Sequence, residues 1–226
     1  MLDHDSGAIA APAALRFPLV LASASTRRAG ILAAAGLPAT IAPSDVLEDG
    51  LATGHSPERT ALDLARAKAA RVAGRNTGSI TLGADTVVVV DGDVLGKPAD
   101  PADAIATLRR LRGRAHDVIT AVALDGALGR HAGYAVTGVR FRHFTDGEID
   151  RYVASGAPMD KAGSYGIQDR PFAPAERVNG CYLNVVGLPL CLTVDLLAAG
   201  GLTITLDCTG CSDPRNVVCG CGEAHA

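Results

Sequence analysis

The stretch Leu19 to Gly36, LVLASASTRRAGILAAAG, constrains the fold of this chain more than any other. Pro18 to Ala22 is a short apolar run of the kind that forms a buried strand. Thr26 to Ala35 is rich in Ala and Leu, which suits a helix, and Gly36 ends it. A strand that passes into a helix through one short turn is the opening unit of an α/β fold. The turn carries Ser23, Ser25 and Thr26, whose hydroxyls suit a helix N-cap. A helix N-terminus also presents free backbone N–H groups and the positive end of the helix dipole. Arg27 and Arg28 add two guanidiniums able to grip phosphate oxygens in bidentate fashion. The stretch therefore reads either as a cradle for a polyphosphate or as a capped surface helix with solvated arginines. It lacks the GxxxxGK[ST] spacing of a P-loop.

The segments that follow alternate in the same way. Ala39 to Ala42 reads as a short strand, and Pro43 to Ser56 as a polar loop bearing Asp45, Glu48 and Asp49. Ser56-Pro57-Glu58 opens a helix that runs to about Ala73. Ile80 to Val90, ITLGADTVVVV, is the most strand-like run, expected to be interrupted at Gly83 to Thr86. Asp91-Gly92 turns it into a hairpin with Val94-Leu95. A helix is expected over Pro101 to Arg112, and two long strands over His116 to Asp125 and Arg130 to Phe144. Thr145 to Glu148 has the pattern of a capping box, opening a helix to about Ser155. Gly156 to Arg170 is glycine-rich and irregular, which permits close backbone approach to a ligand. The last strand is expected over Val178 to Val186 and the last helix over Pro189 to Ala199. This order predicts an α/β fold with a mixed sheet and flanking helices. The long hairpins imply two lobes, with a deep cleft between them as the natural ligand site.

Bulk properties narrow the function. A net charge of −3 argues against a general nucleic-acid binder, so any anion site must concentrate positive charge locally. No apolar run reaches the ~18 residues needed to span a bilayer, so no membrane partner is expected. The first residues carry acids rather than a basic leader, so no signal peptide is read and the cytoplasm is the default location. Residues 1–16 are expected to form a flexible tail, 17–201 a single domain and 202–226 a Cys-rich tail. Cys208, Cys211, Cys219 and Cys221 are spaced C-x2-C, seven residues, C-x-C. That spacing admits zinc but matches known zinc folds imperfectly, and the surrounding Gly, Asp, Pro and Asn favour a flexible tail. Cys181 and Cys191 lie among apolar residues and read as packed thiols. A homodimer is left open.

The residues able to do chemistry are few. Arg27, Arg28, Lys68, Lys97 and Lys161 are the candidate cations for phosphate. Glu48 and Asp85 are the candidate carboxylates for Mg²⁺ or Mn²⁺, or for taking a proton from water. Each has a plainer reading: Lys68 on a solvated helix face, Lys97 in a turn, Glu48 in a solvated loop. Asp85 is the hardest to dismiss, because an acid inside a β-branched run must be paired, hydrogen-bonded or metal-bound. His116 reads as a structural histidine or, less simply, as a catalytic one. No Ser-His-Asp spacing is recoverable, and no GxGxxG follows the first strand.

Taken together, six motifs resemble the Maf family of nucleoside triphosphate pyrophosphatases. They are SASTRR (Ser23 to Arg28), ARAKA (Ala65 to Ala69), GADTVV (Gly83 to Val88), GKP (Gly96 to Pro98), DKAGSYGIQ (Asp160 to Gln168) and NVVGLPL (Asn184 to Leu190). They occur in order between about Phe17 and Ala199. The resemblance implies an elongated fold with a deep cleft, shared with the inosine triphosphate pyrophosphatases. It also implies hydrolysis of a nucleoside triphosphate to the monophosphate and pyrophosphate with a divalent metal. The IQ ending and NVVGLPL look like the branch that acts on dTTP and UTP. The alternatives are another base, such as 7-methyl-GTP, or a non-catalytic regulator of division. By resemblance Asp85 is the proton acceptor, and Arg27, Thr86 and Gln168 tune substrate choice. Ser23, Ser25, Arg27, Arg28 and Lys97 would hold the pyrophosphate, with Lys68 and Lys161 completing the positive ring. Where the family has an acidic pair this chain has Leu47-Glu48, so Glu48 and Asp85 are the expected metal ligands. The amide of Gln168 offers both a donor and an acceptor, which suits the imide edge of uracil or thymine.

Overall fold

A computed structural model describes residues 15–46, 55–202 and 204. Its strands are β1 (Leu19–Leu21), β2 (Thr40–Ile41), β3 (Ile80–Val90), β4 (Asp93–Leu95), β5 (Ala115–Gly126), β6 (His131–Phe141) and β7 (Ala175–Asn179). They form one sheet in the order β2-β1-β3-β5-β6-β7, with β4 beside β3. β1 runs parallel to β2 and β3, and every other pairing is antiparallel, so the sheet is mixed as expected. The helices are α1 (Thr26–Ala34), α2 (Pro57–Ala73), α3 (Pro101–Leu111), α4 (Asp146–Ala154), α5 (Tyr182–Val186) and α6 (Leu190–Ala199).

β3 is the axis of the molecule, and it is unbroken. The interruption expected at Gly83 to Thr86 does not occur, because β5 pairs with β3 continuously from Ile80 to Val89. The other edge of β3 is divided. β1 pairs with residues 80–82 and β4 with residues 88–90. Residues 83–87 therefore have no strand partner on that side among the described residues. The sheet is notched there, and Asp85 and Thr86 lie at the notch.

Side chains alternate across β3, as the period of a strand requires. On one face Val87 packs with Ala61, Ala65 and Ala69 of α2. Gly83 lies under the same helix; a Cβ there would sit 2.3 Å from the Ala65 carbonyl oxygen. Only glycine lets α2 approach this closely. On the other face there are two separate cores. Ile80, Leu82 and Ala84 pack with Leu32, Leu196 and Leu197. Val88 and Val90 pack with Leu108, Leu111, Ile149 and Phe141. These cores define the two lobes, and Thr86 falls between them.

One other expectation changes. The run Val178 to Val186 is not one strand: β7 ends at Asn179, Gly180 turns with φ 124°, and Tyr182–Val186 is helical. The reason lies in Asn184, whose side chain is fully buried and hydrogen-bonds the sheet rather than alternating in it. Near the C-terminal end, Leu202 and Ile204 pack against the first-lobe core, as does Leu15 near the N-terminal end. Glu48 and the four cysteines Cys208, Cys211, Cys219 and Cys221 lie outside the described residues. Cys191 is buried and Cys181 partly so, in one apolar cluster with Leu190 and Ile31. Among the described residues no helix is long and apolar enough to cross a membrane.

Candidate active site

The notch in the sheet opens into a cleft of about 590 Å³ between the lobes. Its walls come from the turn between β1 and α1, the segment after β2, the inner face of α2, the notched part of β3, the segment after β4, and residues 160–168. Ser23, Ser25, Arg27, Arg28, Lys68, Asp85, Thr86, Lys97, Lys161 and Gln168 all line it. Residues far apart in sequence thus converge on one cavity. Among the described residues the lining holds five cations, Arg27, Arg28, Lys68, Lys97 and Lys161, against three carboxylates, Asp45, Asp85 and Asp160. Positive charge is in local excess on a chain whose net charge is −3.

Lys68 is not on a solvated face. It lies on the inner side of α2, is 8 % exposed, and its Nζ donates to Asp85 Oδ1 at 2.6 Å. The close approach permitted by Gly83 brings helix and strand near enough for this contact. The acid inside a β-branched run is thus satisfied by an ammonium from the neighbouring helix. Each side chain of the pair is only 10 % exposed, so the carboxylate sits at the cleft floor with little water around it.

The two arginines part company. Ser25 caps α1, accepting from the Arg28 backbone N–H, and this fixes the direction in which both side chains leave the helix. Arg28 is held on three sides: Nε donates to Gly187 O at 2.8 Å, one Nη to Ser23 Oγ at 3.1 Å and the other to Thr86 Oγ1 at 3.1 Å. Thr86 Oγ1 is in turn 2.9 Å from Thr120 Oγ1, which donates to Asn184 O at 2.8 Å. The hydroxyl proton of Thr120 is therefore committed to Asn184, and Thr86 is the donor between the two threonines. Thr120 and Asn184 are fully buried. Together with Thr137, which accepts from Asn184 Nδ2 at 2.9 Å, they form a polar seam between the two apolar cores. Thr86, expected to tune substrate choice, lines the cleft and accepts a hydrogen bond from Arg28.

Arg27 reaches the other lobe. Its Nη1 lies 2.8 Å from Asp160 Oδ2, and Lys161 Nζ lies 3.0 Å from Asp160 Oδ1. Partial burial pushes the Asp160 carboxyl up, but Arg27 and Lys161 outweigh it and hold the group below the usual carboxylate range. Lys161 also donates to Ala157 O and lies 3.6 Å from Asp169. Gln168 is half-buried and Lys97 exposed at the rim. His116 is not in the cleft. It is buried against Phe141 with Nε2 2.8 Å from the Tyr165 hydroxyl, and burial pushes it down to about 4. It is a neutral structural residue that anchors the strand β5 to the 160–168 segment.

Sequence reasoning missed Asp160, Thr120 and Asn184. Asp160 and Asn184 begin two of the motifs quoted above, so their positions were visible but not their partners. Thr120 stands in an ordinary strand pattern and carries no signal of its own.

Charge from both lobes facing a notched sheet edge, with one buried carboxylate at its floor, gives an α/β protein a cleft whose charge suits an extended anion. The chain belongs to the Maf-like protein family, whose description matches residues 18–200. It is 46 % identical over 190 residues to the dTTP/UTP pyrophosphatase of Geobacter metallireducens, covering 81 % of this chain and 97 % of that one. It is 48 % identical over 188 residues to the dTTP/UTP pyrophosphatase of Thermomicrobium roseum, covering 83 % of this chain and 86 % of that one. Among solved structures, a HAM1 protein from Coxiella burnetii aligns at 18 % identity and a TM-score of 0.45, over 81 % of this chain and 100 % of its own.

Proposed function

We propose that this protein hydrolyses nucleoside triphosphates, dTTP and UTP foremost, to the monophosphate and pyrophosphate. The observation that carries the reading is the position of Asp85, a buried carboxylate at the floor of a cleft with surplus positive charge on both sides. The substrate names come from relatives that share nearly half of its residues and align over more than 80 % of it.

The cleft divides its work by lobe. Arg28, fixed by Ser23, Thr86 and Gly187, presents a preorganised guanidinium to the phosphates without further ordering. Arg27 and Lys161 meet the chain of phosphates from opposite sides, and Lys97 closes it at the rim. Negative charge that develops on the leaving pyrophosphate is stabilised by this fixed set. Asp85 takes the proton of the attacking water: the water oxygen bonds to phosphorus, the bridging P–O bond between α and β breaks, and pyrophosphate leaves with its electron pair. Lys68 holds Asp85 Oδ1 and so orients the carboxylate for that transfer. Gln168, which lines the cleft, reads the base in this proposal.

The reading includes a divalent cation. No group of three or more His, Cys, Asp or Glu that could cage a metal exists among the described residues. Asp85 and Asp45 both line the cleft, however, and Mg²⁺ is commonly held by one or two carboxylates with substrate phosphates and water completing its shell. Asp85 and Asp45 therefore fit an ion that would arrive with the nucleotide, and Glu48, outside the described residues, is the further ligand the sequence suggests. Such an ion would neutralise phosphate charge and acidify water. The test is pyrophosphate release from a panel of nucleoside triphosphates with and without Mg²⁺ or Mn²⁺. Release from dTTP and UTP above the purine nucleotides is expected; absence of release from every nucleotide would refute the proposal.

A further inference from the structure

Asp160 is the carboxylate in the cleft that sequence reasoning passed over. It belongs to the short 3-10 turn Ala157–Asp160 of the second lobe. Each of its oxygens engages a different cation: Oδ2 meets Arg27 of the first lobe at 2.8 Å, and Oδ1 meets Lys161 of its own lobe at 3.0 Å. Arg27 and Asp160 are 133 positions apart in sequence, and their contact spans the mouth of the cleft. A carboxylate has here the position of a phosphate: two anionic oxygens, two cationic partners, both partners among the residues that line the cavity.

We infer that Asp160 is an internal counter-anion that ties the two lobes together through Arg27 and Lys161 and must exchange with the polyphosphate of the substrate. This rests on the nucleotide reading of the cleft given above. The exchange is favourable in direction, because a phosphate offers more charge and more acceptor oxygens than a carboxylate. It is also easy, because the side chains of Arg27 and Asp160 are 28 % and 65 % exposed, and contacts so hydrated are weak. Asp160 thus acts as a positioning residue. It holds Arg27 and Lys161 in place and keeps weak anions out, so that only a ligand with several phosphate oxygens displaces it. The two lysine contacts of the same loop are unequal: Asp169, 3.6 Å from Lys161, is a secondary partner that remains when Asp160 swings away.

The experiment compares the wild-type protein with Asp160→Asn, which keeps the shape and removes the charge. Binding of inorganic pyrophosphate is measured by calorimetry, and KM and kcat for UTP by pyrophosphate release. The neutral amide of the variant competes less well for the two cations. Pyrophosphate affinity is expected to rise roughly two- to fivefold, the range that an exposed ion pair supports. KM for UTP should fall in parallel while kcat does not rise. Loss of a merely structural contact would instead weaken pyrophosphate binding and raise KM. Unchanged or weakened pyrophosphate binding in Asp160→Asn, with wild-type protein that does hydrolyse UTP, would overturn the counter-anion and leave the proposed function standing. Wild-type protein that neither binds pyrophosphate nor releases it from UTP or dTTP would overturn the proposed function, and this inference with it.

Discussion

Asp85→Asn separates what the Lys68–Asp85 pair does for stability from what it does for chemistry. The substitution replaces one carboxylate oxygen with an amide nitrogen and leaves the ammonium of Lys68 facing a neutral group at that position. Both side chains are 10 % exposed, and the contact is 2.6 Å. Removing one partner of a buried pair costs about 3–5 kcal/mol, because the other charge stays behind without that counter-ion. Asn retains an acceptor for Lys68 and the pair borders a cleft, so about 2–3 kcal/mol is expected here. For a domain of this size, each kcal/mol shifts Tm by about 2–4 °C, giving a fall of roughly 4–12 °C. Turnover should fall at least ~10²-fold, the usual range for loss of a general base. The double variant Lys68→Met/Asp85→Asn no longer buries an ammonium against a neutral amide. It should recover about half of the lost Tm and none of the lost turnover. The assays are thermal unfolding followed by circular dichroism and pyrophosphate release from UTP at a temperature below every Tm. Near-wild-type turnover in Asp85→Asn would refute the role of Asp85 as proton acceptor. An unchanged Tm would refute the energetic coupling of the pair.

Three further outcomes are expected. Gln168→Ala should change the ratio of UTP to CTP hydrolysis, whereas Lys97→Ala should lower both rates and leave the ratio alone; steady-state rates on the two nucleotides check this. Thr120→Val deletes the hydroxyl that links Thr86 to Asn184 in a fully buried seam. It should cost about 1–3 kcal/mol in urea unfolding, and it should raise KM through a less well oriented Arg28, with Thr120→Ser restoring both. His116 is pushed down to about 4 by burial. The unfolded chain, with a histidine near 6.5, therefore binds the proton first, and stability is lost as pH falls from about 6.5 to about 4. The loss amounts to about 3 kcal/mol from this residue, and urea midpoints for His116→Phe should show a flatter pH dependence across that window.

Local chemistry made much of this protein legible without coordinates. Ser25 and Ser56 cap helices where hydroxyls precede a helical pattern, and Thr145 with Glu148 forms the expected capping box. These signals act over three or four residues, so they survive in any tertiary setting. The same holds for the mixed sheet, since strand and helix periods are properties of short windows. Residue types also announced the site: cations, hydroxyls and one acid too costly to leave unsatisfied in a strand. What no window contains is the identity of the partners. That Lys68 is buried on Asp85 follows from how closely α2 settles over Gly83. That Val178 to Val186 breaks at Gly180 follows from the hydrogen bonds that Asn184 finds on β5. That β3 runs unbroken past Asp85 follows from the ladder offered by β5, and that it is notched on its other edge follows from where β1 ends and β4 begins. Short-range pattern specified most of the elements, their order and the chemical types that line the cleft. Which charge meets which across the cleft was settled by the docking of helices and lobes, because the Lys68–Asp85 and Arg27–Asp160 pairs join residues 17 and 133 positions apart.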